Sequence, residues 1–265
     1  MTTTTLTTTT AIPRPARPPS AAGAALQVAR RALLKYIRTP GLSVMAIVQS
    51  AMFLFSFRYV FGGAIQVAGS SYVNFLVPAY VASIVLFTGG GISVAVAEDK
   101  AQGFTDRLLS LPVPRLAIVA GRTLADSATN IWSILVTAAF GFLFGFRLTG
   151  SVAGGLAALG LCLVYAVVFT VVFIVIGLLA PGVQAAQGMS LIAFVFAFIS
   201  SAYVPATSMP GWLQPFARYQ PLTPMVDAVR SLIAGSASDV GLALAWSALL
   251  IVVFTPIAVL RYRQA

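Results

Sequence analysis

Between Arg147 and Arg218 lie 70 consecutive residues without one charged side chain. Such a run does not fit a soluble domain, in which about 25% of residues are charged; over this whole chain the share is 8%. A bilayer core is crossed by about 20 apolar residues in a helix. The run is therefore too long for one span, and Pro181-Gly182-Val183-Gln184 divides it into spans near 152–179 and 184–204. The other spans follow from gaps between charges. Arg38 to Arg58 leaves 19 uncharged residues, and Arg58 to Glu98 leaves 39, of which 72–97 make the second span and the rest an outer loop. Asp126 to Arg147 leaves 20, for a third span that begins before Asp126, and Asp239 to Arg261 leaves 21 for the sixth. The expected fold is an all-α membrane protein with six transmembrane helices.

Six spans put both termini on one side of the membrane. With the termini inside, Arg14, Arg17, Arg30, Arg31, Lys35, Arg38, Lys100, Arg107, Arg115, Arg122, Arg261 and Arg263 are cytoplasmic, 12 of the 16 cations. Arg58, Arg147, Arg218 and Arg230 fall outside. This bias orients the chain, and it accounts for the net charge of +10 without any nucleic-acid partner. The basic inner segments meet membrane lipid instead.

The chemistry available is sparse. The chain has no histidine, and Cys162, its only cysteine, sits in an apolar run. That argues against a metal site, a disulfide framework and histidine acid–base catalysis. Asp126 is the only acid plausibly placed inside a span, too few for a proton relay. No Gly-Lys dipeptide and hence no P-loop occurs, and no nucleophile stands in a catalytic context. No catalytic residue and no cofactor of its own are expected. Energy for any transport would have to come from another polypeptide.

Three segments outside the spans stand out. Residues 1–23, eight threonines among the first ten and then Pro/Arg/Ala, read as a disordered cytoplasmic tail ahead of one transmembrane domain, 24–265. In residues 24–39, Gln27, Arg31, Lys35 and Arg38 share one helical face and Leu26, Ala29, Leu33 and Ile37 another, with Arg30 adding to the basic side. This is the pattern of an interfacial amphipathic helix or of a plain basic flank, after which Pro40-Gly41 is expected to turn the chain. The third segment, Glu98 to Arg115, carries six of the 22 charged residues. Read as a helix it aligns Ala101, Phe104, Leu108 and Leu111 in one stripe and stops at Pro112 and Pro114. It is either a surface helix that lies against something or a solvated connector.

Inside the spans, Gly89-Gly90-Gly91, Gly141-x-x-x-Gly145 and Gly154-x-x-x-Ala158 offer flat surfaces for helix packing. Arg122 and Asp126, one turn apart, are expected to form an ion pair near the inner end of span three. Residues 205–235 hold Pro205, Pro210, Pro215, Pro221 and Pro224. There Thr223-Pro224 reads as an N-cap with proline at N1, opening a helix that Gly235 closes. Val226, Val229 and Ile233 form its apolar side. Pro210-Gly211-Trp212-Leu213 reads as a second short helix start, with Trp212 at anchoring depth. Both are expected as outer re-entrant helices between spans five and six.

These segments resemble one family. Glu98-Asp99-Lys100-x-x-Gly103-Phe104-x-x-Arg107-Leu108-Leu109-x-x-Pro112-Val113-Pro114-Arg115 is similar to the signature segment of ABC-2 type permeases. Pro205-x-x-x-Met209-Pro210-Gly211-Trp212-Leu213-Gln214-Pro215-Phe216 resembles the same family, as does Gln220-Pro221-x-Thr223-Pro224 followed by Asp227, Arg230 and Gly235. The details look most like daunorubicin-resistance-type permeases of actinobacteria, over residues 25–262. The resemblance implies an exporter half in the cytoplasmic membrane, paired with a second six-span permease subunit. Two copies of a separate ABC ATPase, which carries ATP and Mg, would dock beneath. It further implies that Glu98 to Ser110 is the coupling helix that meets the ATPase, with 25–38 the interfacial helix beside it. The implied substrate is a hydrophobic or amphipathic small molecule or a lipid. Alternatives are an ABC-2 exporter of lipid-linked polysaccharide and, less favoured, a membrane enzyme or structural protein. Asp99-Lys100 departs from relatives that carry further acidic or small residues there.

Overall fold

A computed structural model describes residues 40–62, 71–103 and 115–262. Among them there are eight α-helices and no strand. In chain order they are α1 (Pro40–Ser56), α2 (Tyr72–Ala101), α3 (Arg115–Leu143), α4 (Val152–Leu179), α5 (Val183–Ile199), α6 (Gln214–Tyr219), α7 (Leu222–Ala234) and α8 (Val240–Arg261). By length and composition α2, α4 and α8 are able to cross a membrane. The helices α1 and α5 are apolar but have 17 residues each, and α1 continues directly into a π-helical turn, Phe57–Phe61. Pro40 and Gly41 are the first described residues of α1, and the chain ahead of them, where the turn is expected, lies outside the described residues. Proline is tolerated in a first helical turn, where amides lack intrahelical partners anyway.

The helix at the centre is α2. Eighteen of its 30 residues are buried, and it packs against α3, α4, α5 and α7. Close approach depends on small residues. A side chain at Gly89 would overlap the ring of Phe173 on α4, and one at Gly177 would meet Ser93 and Val96 of α2. Gly141 on α3 lies against Val77. Its expected companion Gly145 is not on a helix face: it lies beyond the end of α3 with φ +93°, a left-handed conformation that suits glycine, and it lies against the Arg58 side chain rather than against another helix's small residues. Gly154 abuts the Leu232 carbonyl of α7, and Ala158 is fully packed in the core.

The amphipathicity of α3 is inverted. Thr123, Ser127, Asn130, Ser133 and Thr137 recur at helical spacing and are buried, while Leu124, Trp132, Leu135, Phe142 and Leu143 are exposed. A soluble helix turns its polar stripe to solvent; this one turns it inward, as a helix surrounded by hydrocarbon must. Two members of the stripe, Asn130 and Thr137, bond to neighbouring helices, while Ser133 donates back to the Thr129 carbonyl of α3 and the Thr123 and Ser127 hydroxyls have no partner among the described residues. Asn130 accepts from the Thr88 hydroxyl of α2 at 2.5 Å and donates to Thr170 Oγ1 of α4 at 2.9 Å. Ser50 and Thr137 join α1 to α3 at 2.8 Å, and Ser93 and Ser190 join α2 to α5 at 2.5 Å. Hydrogen bonds of this kind contribute about 0.6 kcal/mol each within membranes, so their number matters more than any one of them. An aromatic cluster of Phe53, Tyr80, Phe87 and Tyr203 fills the space between α1, α2 and the segment after α5.

The Gly89–Phe173 contact is testable. Gly89→Ala should cost about 1–3 kcal/mol of stability through overpacking, seen as a lower unfolding midpoint on titration with SDS. In a Phe173→Leu background the same substitution should cost little. Equal losses in both backgrounds would show that the ring does not set the glycine requirement.

Candidate functional site

The chemistry-bearing residues gather at the two ends of α2. At its C-terminal end Arg122 of α3 bridges two carboxylates. It donates through Nη1 to Asp99 of α2 and through Nε, at 3.1 Å, to Asp126 one turn further along α3. The expected Arg122–Asp126 pair is therefore present, and Asp99 joins it as a second carboxylate from another helix. Next to Asp99, Lys100 donates through Nζ to the Leu178 carbonyl at 3.2 Å. A cation there satisfies an orphan carbonyl at the C-terminus of α4 and complements the helix dipole. One short stretch of α2 is thus tied to both α3 and α4. Glu98 beside it is exposed.

The same stretch ends α2. The Gln102 amide donates to the Glu98 carbonyl at 2.9 Å and the Gly103 amide to Lys100 at 3.1 Å. Gly103 has φ +66°, a left-handed closure that favours glycine because no Cβ obstructs it. Glu98, Asp99 and Ala101 therefore belong to α2, and not to a separate helix running from Glu98 to Ser110. Phe104, Arg107, Leu108, Leu109, Pro112 and Pro114 lie outside the described residues, as do Arg30, Arg31, Lys35, Arg38 and the 1–23 tail. Arg115 is the first residue of α3.

At the opposite end of α2, Arg230 of α7 forms a latch. Nε and Nη2 donate to the Phe75 carbonyl at 3.3 and 3.1 Å, and Nη2 also donates to Ala202 at 2.6 Å. Nη1 donates to the Ser201 carbonyl at 3.2 Å and to Asp227 Oδ1 at 3.1 Å. These five bonds match the five donors of a guanidinium, and its carbon lies 3.6 Å from the centre of the Phe75 ring. Burial pulls the Arg230 guanidinium down to about 10 and pushes the Asp227 carboxyl upward, with their mutual attraction opposing both shifts.

The two short helices expected before the last long one are α6 and α7. The first does not start at Pro210 as expected: Pro210 opens a turn, its carbonyl accepting from the Leu213 and Gln214 amides at 2.9 and 3.3 Å, and α6 begins at Gln214 with Pro215 in its first turn, while Trp212 in the turn is 79% exposed. Thr223 is not the cap that its pairing with Pro224 suggests. Pro221 occupies the N-cap position of α7, and Thr223 Oγ1 accepts from the Ser201 amide at 3.2 Å while donating to the Ala217 carbonyl. The hydroxyl thus fastens α7 to α6 and to the end of α5. Pro224 falls in the first turn of α7, where its missing amide costs nothing. Gly235 closes α7 with φ +86° as expected.

Sequence reasoning missed Asp99 as a partner of Arg122 and the carbonyl-binding role of Arg230. A charge one turn inside the end of an apolar helix was the available signal for the first. Nothing local signals the second, because its acceptors are backbone carbonyls distant in sequence.

Among the described residues an all-helical bundle with a buried polar stripe on α3 is the arrangement of a protein surrounded by lipid. The model of the ABC-2 type transporter family matches residues 24–234, and the chain belongs to that family. It is 30% identical over 254 residues to the daunorubicin resistance ABC transporter permease protein DrrB1 of Streptomyces coeruleorubidus, covering 95% of this chain and 89% of that protein. It is 25% identical over 239 residues to the probable doxorubicin resistance ABC transporter permease protein DrrC of Mycobacterium tuberculosis, covering 89% and 86%.

Arg230→Ala should lower stability by about 1–3 kcal/mol, chiefly because it leaves the Phe75, Ser201 and Ala202 carbonyls without their donor, Asp227 being part-exposed. Arg230→Lys should recover only part of the loss, because lysine has three donors and no planar fork. SDS unfolding of the three proteins measures this. Full recovery by lysine would mean that charge alone matters.

Proposed function

We propose that this chain is the transmembrane subunit of an ATP-driven exporter that moves a hydrophobic or amphipathic small molecule, such as a drug or antibiotic, or a lipid, out across the cytoplasmic membrane. The single observation that carries this reading is the match to a daunorubicin resistance permease along 95% of the chain. On this reading the six spans are α1 with its π-helical turn, α2, α3, α4, α5 and α8, with both termini cytoplasmic. The end of α2 that carries Asp99 then faces the cytoplasm, and α6 and α7 lie at the outer face. Two such subunits pair, and the exposed apolar faces of α1, α5 and α8 are covered by lipid or by the second subunit.

ATP and Mg belong to a separate ABC ATPase, two copies per complex. The connection from Gly103 to Arg115 is the docking element, with Phe104, Leu108 and Leu109 as its apolar contacts and Arg107 at its polar edge. Pro112 and Pro114 end it, and residues 25–38, with Arg30, Arg31, Lys35 and Arg38, lie on the membrane beside it. Closure of the ATPase subunits on nucleotide moves this connection, and α2 with it. Asp99 and Arg122 carry that displacement into α3, and the Arg230 latch carries it into α7. Export follows if the substrate binds the inward-open and outward-open arrangements with different affinity.

Burial of Phe104 and Leu108 against the ATPase contributes on the order of 3–6 kcal/mol before the costs of association. Replacing both with aspartate places two carboxylates in that contact. In Phe104→Asp/Leu108→Asp, membrane abundance should be normal, while co-purification of the ATPase and daunorubicin export are lost together. Normal ATPase recovery at normal abundance would refute the docking role.

A further inference from the structure

An apolar cavity of about 210 Å³ opens between α2, α3, α4 and α7. Its wall includes Val77 and Val81 of α2, Ala138 and Phe142 of α3, and Leu156 and Cys162 of α4, with no charged side chain among the lining residues. Cavities lined in this way stay dry even at about 150 Å³ and take up apolar guests. The open side is itself apolar, since Phe142, Val152 and Leu156 are each more than half exposed. In the bilayer that the inverted α3 requires, this opening faces hydrocarbon.

The rim supplies the second half of a site. Phe146 and Leu148 line the cavity, and Arg147 between them is exposed. The loop that carries Arg147 is held in place, because its backbone amide donates to Asn74 Oδ1 at 3.1 Å and the Gly150 amide donates to the Ile233 carbonyl at 3.0 Å. A second cation, Arg58, packs against Gly145 of the same loop. Among the described residues neither arginine has a carboxylate within ion-pair distance, since the three ion pairs found there all use Arg122 or Arg230. An apolar slot open to hydrocarbon, with one arginine on its rim loop and a second packed against that loop and over the Tyr59 ring, neither facing a carboxylate among the described residues, has the chemistry of one ligand in which an alkyl chain is joined to an anion.

We propose that this is a binding site for a membrane phospholipid, one acyl chain occupying the cavity and the phosphodiester seated on Arg147, with Arg58 beside it. Guanidinium binds phosphate through paired charge-assisted hydrogen bonds, and filling the cavity removes a packing defect between α3 and α4. The lipid is thus a structural component of the bundle, separate from whatever the permease exports. The inference rests on the membrane reading alone and not on the identity of the substrate.

The test uses the full-length protein co-expressed with its ATPase and stripped of lipid in detergent. It is then supplied with phosphatidylglycerol or with a diacylglycerol of the same chains, and bound copies are counted by native mass spectrometry. Phosphatidylglycerol should be retained at one copy per permease chain, and the diacylglycerol, which lacks the phosphate, should be retained weakly. Arg147→Gln should reduce retention about tenfold or more, the scale of a lost charge-assisted hydrogen bond. Ala138→Phe, which fills the cavity from α3, should abolish retention while leaving the SDS unfolding midpoint of the lipid-free protein unchanged or raised. Retention that neither substitution alters would overturn the proposal, as would equal retention of the diacylglycerol. Daunorubicin export by Ala138→Phe is read alongside. Lipid loss with export intact supports a structural site, whereas saturating daunorubicin displacing phosphatidylglycerol would make the cavity a substrate site and overturn it.

Discussion

The burial of α2 along its length is the constraint on which the rest of the structure depends. A helix surrounded by others cannot rely on amphipathicity to choose its neighbours, and within hydrocarbon no hydrophobic force draws helices together. Shape and buried hydrogen bonds must decide instead. Gly89 admits Phe173, Gly177 admits the Ser93–Val96 turn, and Asn130 spans three helices through Thr88 and Thr170. Each contact is small, but together they fix the rotation and depth of α2 against α3, α4 and α5. That precision is what allows one residue at each end of the helix to meet its partner.

Both ends are held by an arginine from a different helix, in different ways. Arg122 neutralises carboxylates from α2 and α3, an arrangement in which removing the cation leaves two part-buried acids close together without their shared cation. Arg230 binds mostly backbone, holding the first turn of α2 and the segment after α5 in one guanidinium plane. A rod fixed at both ends transmits displacement, whereas a helix free at one end would absorb it. This is the physical content of the proposed coupling. On the proposed function, the helix that the connection after Gly103 would pull on is already ion-paired to α3 and latched to α7.

Much of this was legible from charge spacing, because long uncharged runs admit few alternatives. The 152–179 span agrees with Val152–Leu179, and Asp239 and Arg261 bracket α8. The second span extends beyond its expected end at residue 97, since Asp99 and Lys100 are neutralised or capped by neighbours rather than excluded from the helix. The Arg122–Asp126 pair was readable because it lies within one helical turn. Its third member was not, because Asp99 reaches Arg122 only through the packing of α2 on α3. Thr223 misled for a related reason. Its hydroxyl suits a cap, but tertiary contacts with Ser201 and Ala217 claim it, and Pro221 takes the cap position. Local rules succeeded where a residue's partner was local.

The most direct measurement of the central claim is a charge exchange between α2 and α3. Asp99→Arg and Arg122→Asp are made singly and together, and ATP-driven export is measured, with daunorubicin as the trial substrate that the proposed function suggests, with the ATPase bound and membrane abundance held equal. The swap keeps the same set of charges across the contact between α2 and α3. If the Asp99–Arg122 contact carries motion between the helices, each single reversal should abolish export and the double variant should recover a substantial part of it. A double variant no better than the weaker single variant, with the ATPase still bound, would contradict the account.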